Sequence, residues 1–541
     1  MAHDDTQYAD GPSLMWSRFV PYASAFSAKS LAEAENYSGT GLAGGNCFAA
    51  LSAADSIFAS DDDGDGIAND QELRDRTDGS DSGSLKATLR SPVYAMWNSF
   101  LKTTNIAEIV NPTQHDIAAY VSLHALDGAL LHQRVVPVAA FGQFDLIVND
   151  LPGFIRDSYG LLKIEFSGVL DGRMSYYRQG QGGDEFEFAY SIPFSNPLLG
   201  KSAVAFNTFQ PSTNPAEAAN YVANWLTIVN LSEQTKAFTV FSFNAAGAAL
   251  RSLTVEIPGF GRIDVDGGHG FAGAQVVGFH QIIPADSEAA YQAQLIRYGG
   301  NARPGENATE YFFAYPLLAR AGASVPQEVF ISASAEGEEN WLELVNTSTK
   351  TSRIEIQFNA KSGSAIRVEE LTLKPHEQRH LPASQILEEA GEKEGTVVIR
   401  TRAASPVIAQ SMFYYRNEKG SISTMFGLQA REALGELSSG SYNLFLGMEN
   451  RLRIANTSDA AVDVAVQVSG AQNSAGLGLT IPARGCAIIP IAQDHFAAAT
   501  QESYGLVTVE SSAPNALISE LLRVRKIGAR VDFISATALR P

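Results

Sequence analysis

Apolar and polar residues alternate in AYVSLHAL (119–126), FTVFSF (238–243), IEIQF (354–358) and VDVAVQV (462–468). Period-two alternation rich in β-branched and aromatic residues predicts strands with one buried face. Each of these strands follows a denser heptapeptide, Asn-x-apolar-x-apolar-apolar-Asn: Asn105–Asn111, Asn224–Asn230, Asn340–Asn346 and Asn450–Asn456. The closing asparagines are 119, 116 and 110 residues apart, and each opens a Ser/Thr-containing turn. Asn and Ser suit such positions because their side chains hydrogen-bond nearby backbone.

The order of elements around each heptapeptide is also shared. An opening strand precedes it, in VYAMW (93–97), AVAF (203–206), EVFIS (328–332) and NLFLGM (443–448). After the alternating strand, a Gly-marked turn or loop and another strand lead to a proline, at Pro137, Pro258, Pro375 and Pro482, and then a short strand. A glycine next opens a strand, at Gly160, Gly273, Gly395 and Gly505. Copies one and three then share an aromatic strand ending in Arg, MSYYR (174–178) and MFYYR (412–416), with LLRVR (521–525) in that place in copy four. An apolar strand closes each copy: FEFAYSIPF (186–194), YFFAYPLL (311–318), STMFGL (423–428) and VDFISA (531–536). A period this long, punctuated by turns and free of convincing helix, predicts tandem domains and not a short-repeat solenoid.

The fold class expected is therefore mostly β: four tandem antiparallel β-sandwich domains after a small, partly helical N-terminal region with one calcium loop. The boundaries fall at 1–89, 90–199, 200–324, 325–437 and 438–541. Over about 85–541 this layout resembles tandem immunoglobulin-like or fibronectin-like modules of bacterial surface proteins, without the Cys…Trp…Cys hallmark of true immunoglobulin domains. Trp225 and Trp341 hold equivalent positions, and Ile106 and Arg451 replace them elsewhere. Core or inter-domain packing is the expected role of the two tryptophans, with glycan stacking as the alternative.

Composition narrows the function classes. The 541 residues carry a net charge of −20, with 45% hydrophobic and 18% charged residues. That balance disfavours nucleic acid and anionic membrane surfaces as partners. Two cysteines, Cys47 and Cys486, make neither a disulfide framework nor a zinc site. No run approaches the ~20 apolar residues of a membrane span. The N-terminal MAHDDTQYADG lacks the features of a secretory signal.

One segment has explicit ion chemistry. Asp61, Asp63, Asp65, Ile67, Asn69 and Glu72 occupy positions one, three, five, seven, nine and twelve of a calcium loop, with Gly66 at six. Carboxylates at alternate positions converge on a hard cation, the Ile67 carbonyl adds a neutral oxygen, and Asn69 acts through water. Glu72 closes the loop, and Gly66 permits its sharp turn. Residues 61–81 hold nine acids and two arginines, a concentration of like charge that a cation would offset. The continuation ELRDRTDG resembles thrombospondin type-3 and dockerin-like loops of exported bacterial proteins, which implies a structural Ca²⁺ site at residues 61–72.

A second string, His376-Glu377-Gln-Arg-His380, matches the HExxH of zinc peptidases. That chemistry needs both histidines on one helical turn. The equivalent segments of the other copies are turn plus strand, so a strand is expected here too, with i and i+4 ~13 Å apart. His115, His124 and His132 form no recognised ligand spacing. No nucleophile elbow, phosphate loop or dinucleotide fingerprint is present in the sequence.

The leading expectation is a non-enzymatic, calcium-binding extracellular or cell-surface structural or adhesive protein. Its expected partners are other protein subunits or a surface receptor or glycan, with association into a homo-oligomer or filament. The alternatives are a secreted carbohydrate-binding or carbohydrate-processing protein with accessory β-sandwich modules and, behind it, a zinc metallopeptidase using His376, Glu377 and His380.

Overall fold

The computed structural model describes residues 92–540, apart from 167–168, 180–185, 209–220, 274, 301–310, 334–337, 403–405, 418–421, 471–472 and 529. The architecture is mostly β and β-sandwich-like, built from antiparallel sheets. One set of eight strands runs β1 Val93–Asn98, β2 Thr103–Val110, β3 Ile117–His124, β4 Leu130–Val138, β5 Gln143–Ile147, β6 Tyr159–Phe166, β7 Asp171–Gln179 and β8 Phe186–Pro193. The next runs β9 Ser202–Asn207, β10 Tyr221–Asn230, β11 Lys236–Asn244, β12 Ala249–Ile257, β13 Arg262–Asp266, β14 Val277–Pro284, β15 Tyr291–Gly300 and β16 Tyr311–Leu318. The third comprises β17 Gln327–Ser332, β18 Glu338–Asn346, β19 Ser352–Ala360, β20 Ala365–Leu373, β21 Gln378–Pro382, helix α1 Ala383–Glu389, β22 Glu394–Thr401, β23 Val407–Arg416 and β24 Ile422–Gln429. The last comprises β25 Leu437–Asn443, β26 Glu449–Asn456, β27 Val462–Gly470, β28 Ser474–Ile481, β29 Cys486–Pro490, β30 Tyr504–Ser511, β31 Leu517–Ile527 and β32 Arg530–Ala538.

Every set has the same two sheets. The outer sheets read β1-β6-β3-β4, β9-β14-β11-β12, β17-β22-β19-β20 and β25-β30-β27-β28. The inner sheets read β5-β2-β7-β8, β13-β10-β15-β16, β21-β18-β23-β24 and β29-β26-β31-β32, the first and last joined into one eight-stranded sheet. Burial separates the two kinds. In outer strands such as β27, buried and exposed positions alternate, and in β28 half-buried and exposed ones do, so one face meets solvent. In β2 every residue is buried, as it is along nearly all of β7. An inner sheet is thus covered twice, by its own outer sheet and by a neighbouring set.

That second covering makes a closed cycle. The closing strands β8, β16, β24 and β32 contact one another in order, and β32 returns to β8. The return is a parallel pairing at Phe533 and Ala189. One apolar cluster joins Ala223, Ile296 and Tyr298 to the first set; another draws on the second, third and fourth sets together.

Outside the inner sheets, neighbouring sets hook together by turns. Gly128, Gly247 and Gly363, with φ of +87°, +82° and +89°, sit in β-hairpins. A Cβ at each would meet the carbonyl oxygen of Gly259, Pro375 or Ala483 at 1.9, 2.4 or 1.9 Å. Backbone bonds complete each hook: Arg262 N–H to Leu126 O at 2.8 Å, Gln378 N–H to Ala245 O at 2.9 Å, Cys486 N–H to Lys361 O at 3.0 Å. Only glycine accepts both that backbone conformation and that approach.

Three details of the sequence reading need correction. The fourth opening strand is Leu437–Asn443, not NLFLGM, whose Phe445–Gly447 forms a 3₁₀ turn. The strand-opening glycine of the second set is Gly278, not Gly273: Gly278 pairs with Phe206 as Gly160 pairs with Trp97. Helix α1 was not expected; its buried Ala383, Ile386 and Leu387 cap the third core.

Candidate functional site: the ionic seam between the first and last sets

The heptapeptide asparagines are structural fixtures. Asn111, Asn230, Asn346 and Asn456 are fully buried. Each Nδ2 donates to three backbone carbonyls; for Asn230 these are Gln234 O at 2.7 Å, Ile257 O at 2.9 Å and Pro258 O at 3.0 Å. Each Oδ1 accepts the backbone N–H two residues on, at Thr113, Ser232, Ser348 and Ser458. The opening asparagines tie the second strand to the first: Asn105 accepts from Asn98 N–H at 2.8 Å and donates to Asn98 O at 2.9 Å.

The middle position of the same heptapeptide has another use. Glu108, Thr227, Glu343 and Arg453 are equivalent and buried. Three of them meet a charged or aromatic group of the preceding set. Arg297 of β15 lies 3.5 Å from Glu343 of β18. Arg453 of β26 stacks on Phe330 and Phe413 of the third set, with its charge matched by Glu520. Arg523 of β31 reaches Glu108 of β2, 415 residues away, at 2.9 Å.

This last contact centres a buried polar cluster. Glu108 receives Arg523, Arg173 Nε at 3.2 Å and the Ser175 hydroxyl at 2.5 Å. Arg173 also donates to the carbonyl and hydroxyl of Ser441, and the hydroxyls of Ser191 and Ser535 meet across the seam. Arg523 lies over the Phe533 ring at 5.2 Å. Burial alone would raise the Glu108 pKa; Arg523 and Arg173 more than offset it and hold the carboxyl below its ordinary value. Asp145, opposite Glu108 in the sheet, goes the other way: burial and the Glu108 charge push it up to about 7, against Gln143, which donates to it at 2.7 Å.

The two carboxyls therefore differ in protonation near neutral pH, as acid and base do in hydrolytic sites. Here, however, Glu108 and both arginines are sealed from solvent and paired with one another. Such a cluster fixes register and specificity across an interface, with desolvation offsetting much of its Coulomb energy.

The six calcium-loop positions, Asp61, Asp63, Asp65, Ile67, Asn69 and Glu72, lie outside the described residues, as does Cys47. Among the described residues no group of three or more His, Cys, Asp or Glu is placed to hold a metal. Residues 376–380 form a turn leading into β21, not a helical turn. His376 has φ of +59° and stacks on Phe243 at 4.2 Å, whereas His380 lies 3.9 Å from Glu343. Glu377 instead bonds Lys374 N–H and Arg379. His124 accepts no metal-like company: Nδ1 meets Gly128 O and its ring faces Phe260. Trp225 is partly buried against the first core with His269 at 5.0 Å, and Trp341 packs against the cluster shared by later sets. Cys486 is buried, its thiol pushed up to about 12 by burial first.

The sequence reading passed over Glu108, Glu343, Arg453 and their partners. The available signal was a charged or polar residue at the same place in each otherwise apolar heptapeptide.

No family model matches the chain, and no curated protein matches it. Solved structures align at low similarity, three among them as follows. A glycosyl hydrolase family 2 member from Bacteroides cellulosilyticus is 6% identical, covering 83% of this chain and 92% of its own, with a TM-score of 0.12. The T13 infectious bursal disease virus particle protein is 8% identical over 84% and 83%, TM-score 0.09. The T=1 particle protein derived from infectious bursal virus is 9% identical over 80% and 77%, TM-score 0.07. At these scores none of the three bears on fold or activity.

Proposed function

We propose that the chain is a non-enzymatic, calcium-binding structural protein of a cell surface or extracellular assembly. Its four strand sets are read as four β-sandwich domains, at 90–199, 200–324, 325–437 and 438–541. The observation that carries this reading is the use of one repeated inner-strand position, at Glu108, Glu343 and Arg453, for contacts between sets. Buried charge deployed in that way favours a fixed relative placement of repeated parts, which suits a building block that presents its outer sheets to protein subunits or a receptor. Ca²⁺ held by Asp61, Asp63, Asp65, Ile67, Asn69 and Glu72 would order the segment ahead of the first domain.

Calorimetric titration of the full chain with Ca²⁺ tests the ion site. One ion is expected with Kd of about 10⁻⁴–10⁻³ M, the range of extracellular sites, and Asp65→Ala should abolish it. Chelation should also speed proteolysis between residues 55 and 85. Absence of binding, or binding that survives Asp65→Ala, would remove calcium from the proposal. Sedimentation with and without Ca²⁺ tests assembly; a monomer at all concentrations would count against a structural subunit.

A further inference from the structure

The residue two past the end of each closing strand is Ser195, Arg320, Arg431 or Arg540, and each bridges to the opening strand of its own set. Each side chain then engages the following set. Ser195 takes Gln292; Arg320 donates to Ala430 O at 2.6 Å; Arg431 donates to Ser519 O; Arg540 donates to Phe194 O, closing the cycle. Because the closing strands adjoin one another in turn, these residues gather at one end of their bundle.

The three arginines line a single cavity of about 510 Å³, together with Gln327, Ser438 and Ser519. One acid, Glu432, lines it as well, at the exposed rim. Arg431 is partly balanced by Glu520 at 3.9 Å, and Arg540 by Asp171 at 3.8 Å. Arg320 has a backbone carbonyl as its hydrogen-bond partner, and its pKa is lowered to about 10 by burial first and then by Arg431. Three guanidiniums thus share one cavity whose lining is otherwise largely apolar, with Glu432, Glu520 and Asp171 offsetting part of their charge, on a chain whose net charge is −20. Planar guanidinium groups in such a setting match the paired oxygens of carboxylates and phosphates.

We propose that this cavity is a binding site for a small multivalent oxyanion, a phosphate ester or a polycarboxylate, gripped by Arg320, Arg431 and Arg540. Because the arginines come from three strand sets, an occupied cavity would tie those sets together at one end of the cycle.

The test is calorimetric titration of the full chain with inorganic pyrophosphate and, separately, citrate, in about 0.15 M NaCl to screen diffuse attraction. One saturable site is expected with at least one probe, and the preferred probe distinguishes phosphate from carboxylate ligands. Arg320→Gln keeps a hydrogen-bond donor but removes charge, and should weaken binding about tenfold or more. Ser438→Glu places a carboxylate on the cavity wall without removing any arginine, and should do the same. A rise in melting temperature with the probe should vanish in both variants. Failure of both probes to saturate the wild-type chain would overturn the site. So would binding unchanged by Ser438→Glu, which decides the matter even if Arg320→Gln does not fold.

Discussion

At the scale of single residues, the closing asparagines show how one side chain fixes a turn. Asn346 donates to Lys350 O, Leu373 O and Lys374 O, and accepts from Ser348 N–H. No water is needed to satisfy it, and removing the amide leaves buried carbonyls without donors. Asn346→Ala should cost roughly 2–4 kcal/mol, above the usual single hydrogen bond because several carbonyls are orphaned together. Urea unfolding would measure it; a loss below about 0.5 kcal/mol would contradict the role. Asp145 and Glu328 make a different residue-scale prediction. Burial is the first cause for both, and each is pushed up to about 7. A carboxyl raised in the fold binds more protons folded than unfolded. Stability from these groups is therefore present at acid pH and lost as pH rises through about 7. His280 opposes it: burial lowers its pKa to about 4, so its contribution is lost as pH falls from the ordinary value of 6.5 through 4. His124, His132, His269, His376 and His380 are lowered too and act as His280 does, so the testable quantity is a difference: Asp145→Asn should make melting temperature fall less, or rise more, between about pH 4 and pH 7 than in the parent chain. An unchanged slope in Asp145→Asn would contradict the assignment.

At the scale of elements, strand positions were legible where alternation was strong and one face met water. VDVAVQV gave β27 from its first residue to two short of its last, and IEIQF gave the middle five residues of β19. The fourth opening strand was not legible, because LSSGSYN reads as a loop by composition; Ser439, Gly440 and Ser441 are nonetheless buried, with Gly440 close against Leu539. Helix α1 escaped because seven residues leave too little periodicity, and the core beneath it is what holds it. Inner strands misled in another way. Their near-continuous burial records two coverings, and sequence alternation cannot name the second partner. The hairpin hooks belong to this scale. Gly128→Val adds a Cβ 1.9 Å from Gly259 O in a backbone conformation hostile to β-branching. Hydrogen exchange should rise on both sides of that hook, at 125–129 and 258–262, ahead of the outer sheets. Uniform protection loss across the chain would argue against a local hook.

At the scale of the whole molecule, the candidate site was illegible for a simple reason: its parts come from opposite ends of the chain. Nothing in local pattern pairs Glu108 with Arg523, although repeat position marked Glu108 as unusual. The calcium loop was the reverse case, legible in sequence and outside the described residues. Glu108 pairs with two arginines in a sealed seam. Glu108→Gln should remove the carboxylate they share and destabilise by about 3–5 kcal/mol, the range for breaking a buried pair from one side. Unfolding should then become less cooperative, with the first and last sets separating early; a fully coincident two-state transition of unchanged midpoint would contradict this.

The central claim is closure: the first and last strand sets meet within one chain. The hydroxyls of Ser191 and Ser535 touch across that seam, two residues beyond the parallel pair of Ala189 and Phe533. Oxidising a Ser191→Cys, Ser535→Cys double variant, with Cys47 and Cys486 replaced by serine, is the direct measurement. Closure predicts an internal disulfide in the monomer, seen by intact mass and by faster non-reducing migration. Free thiols under oxidant, or cross-linked dimers alone, would contradict it.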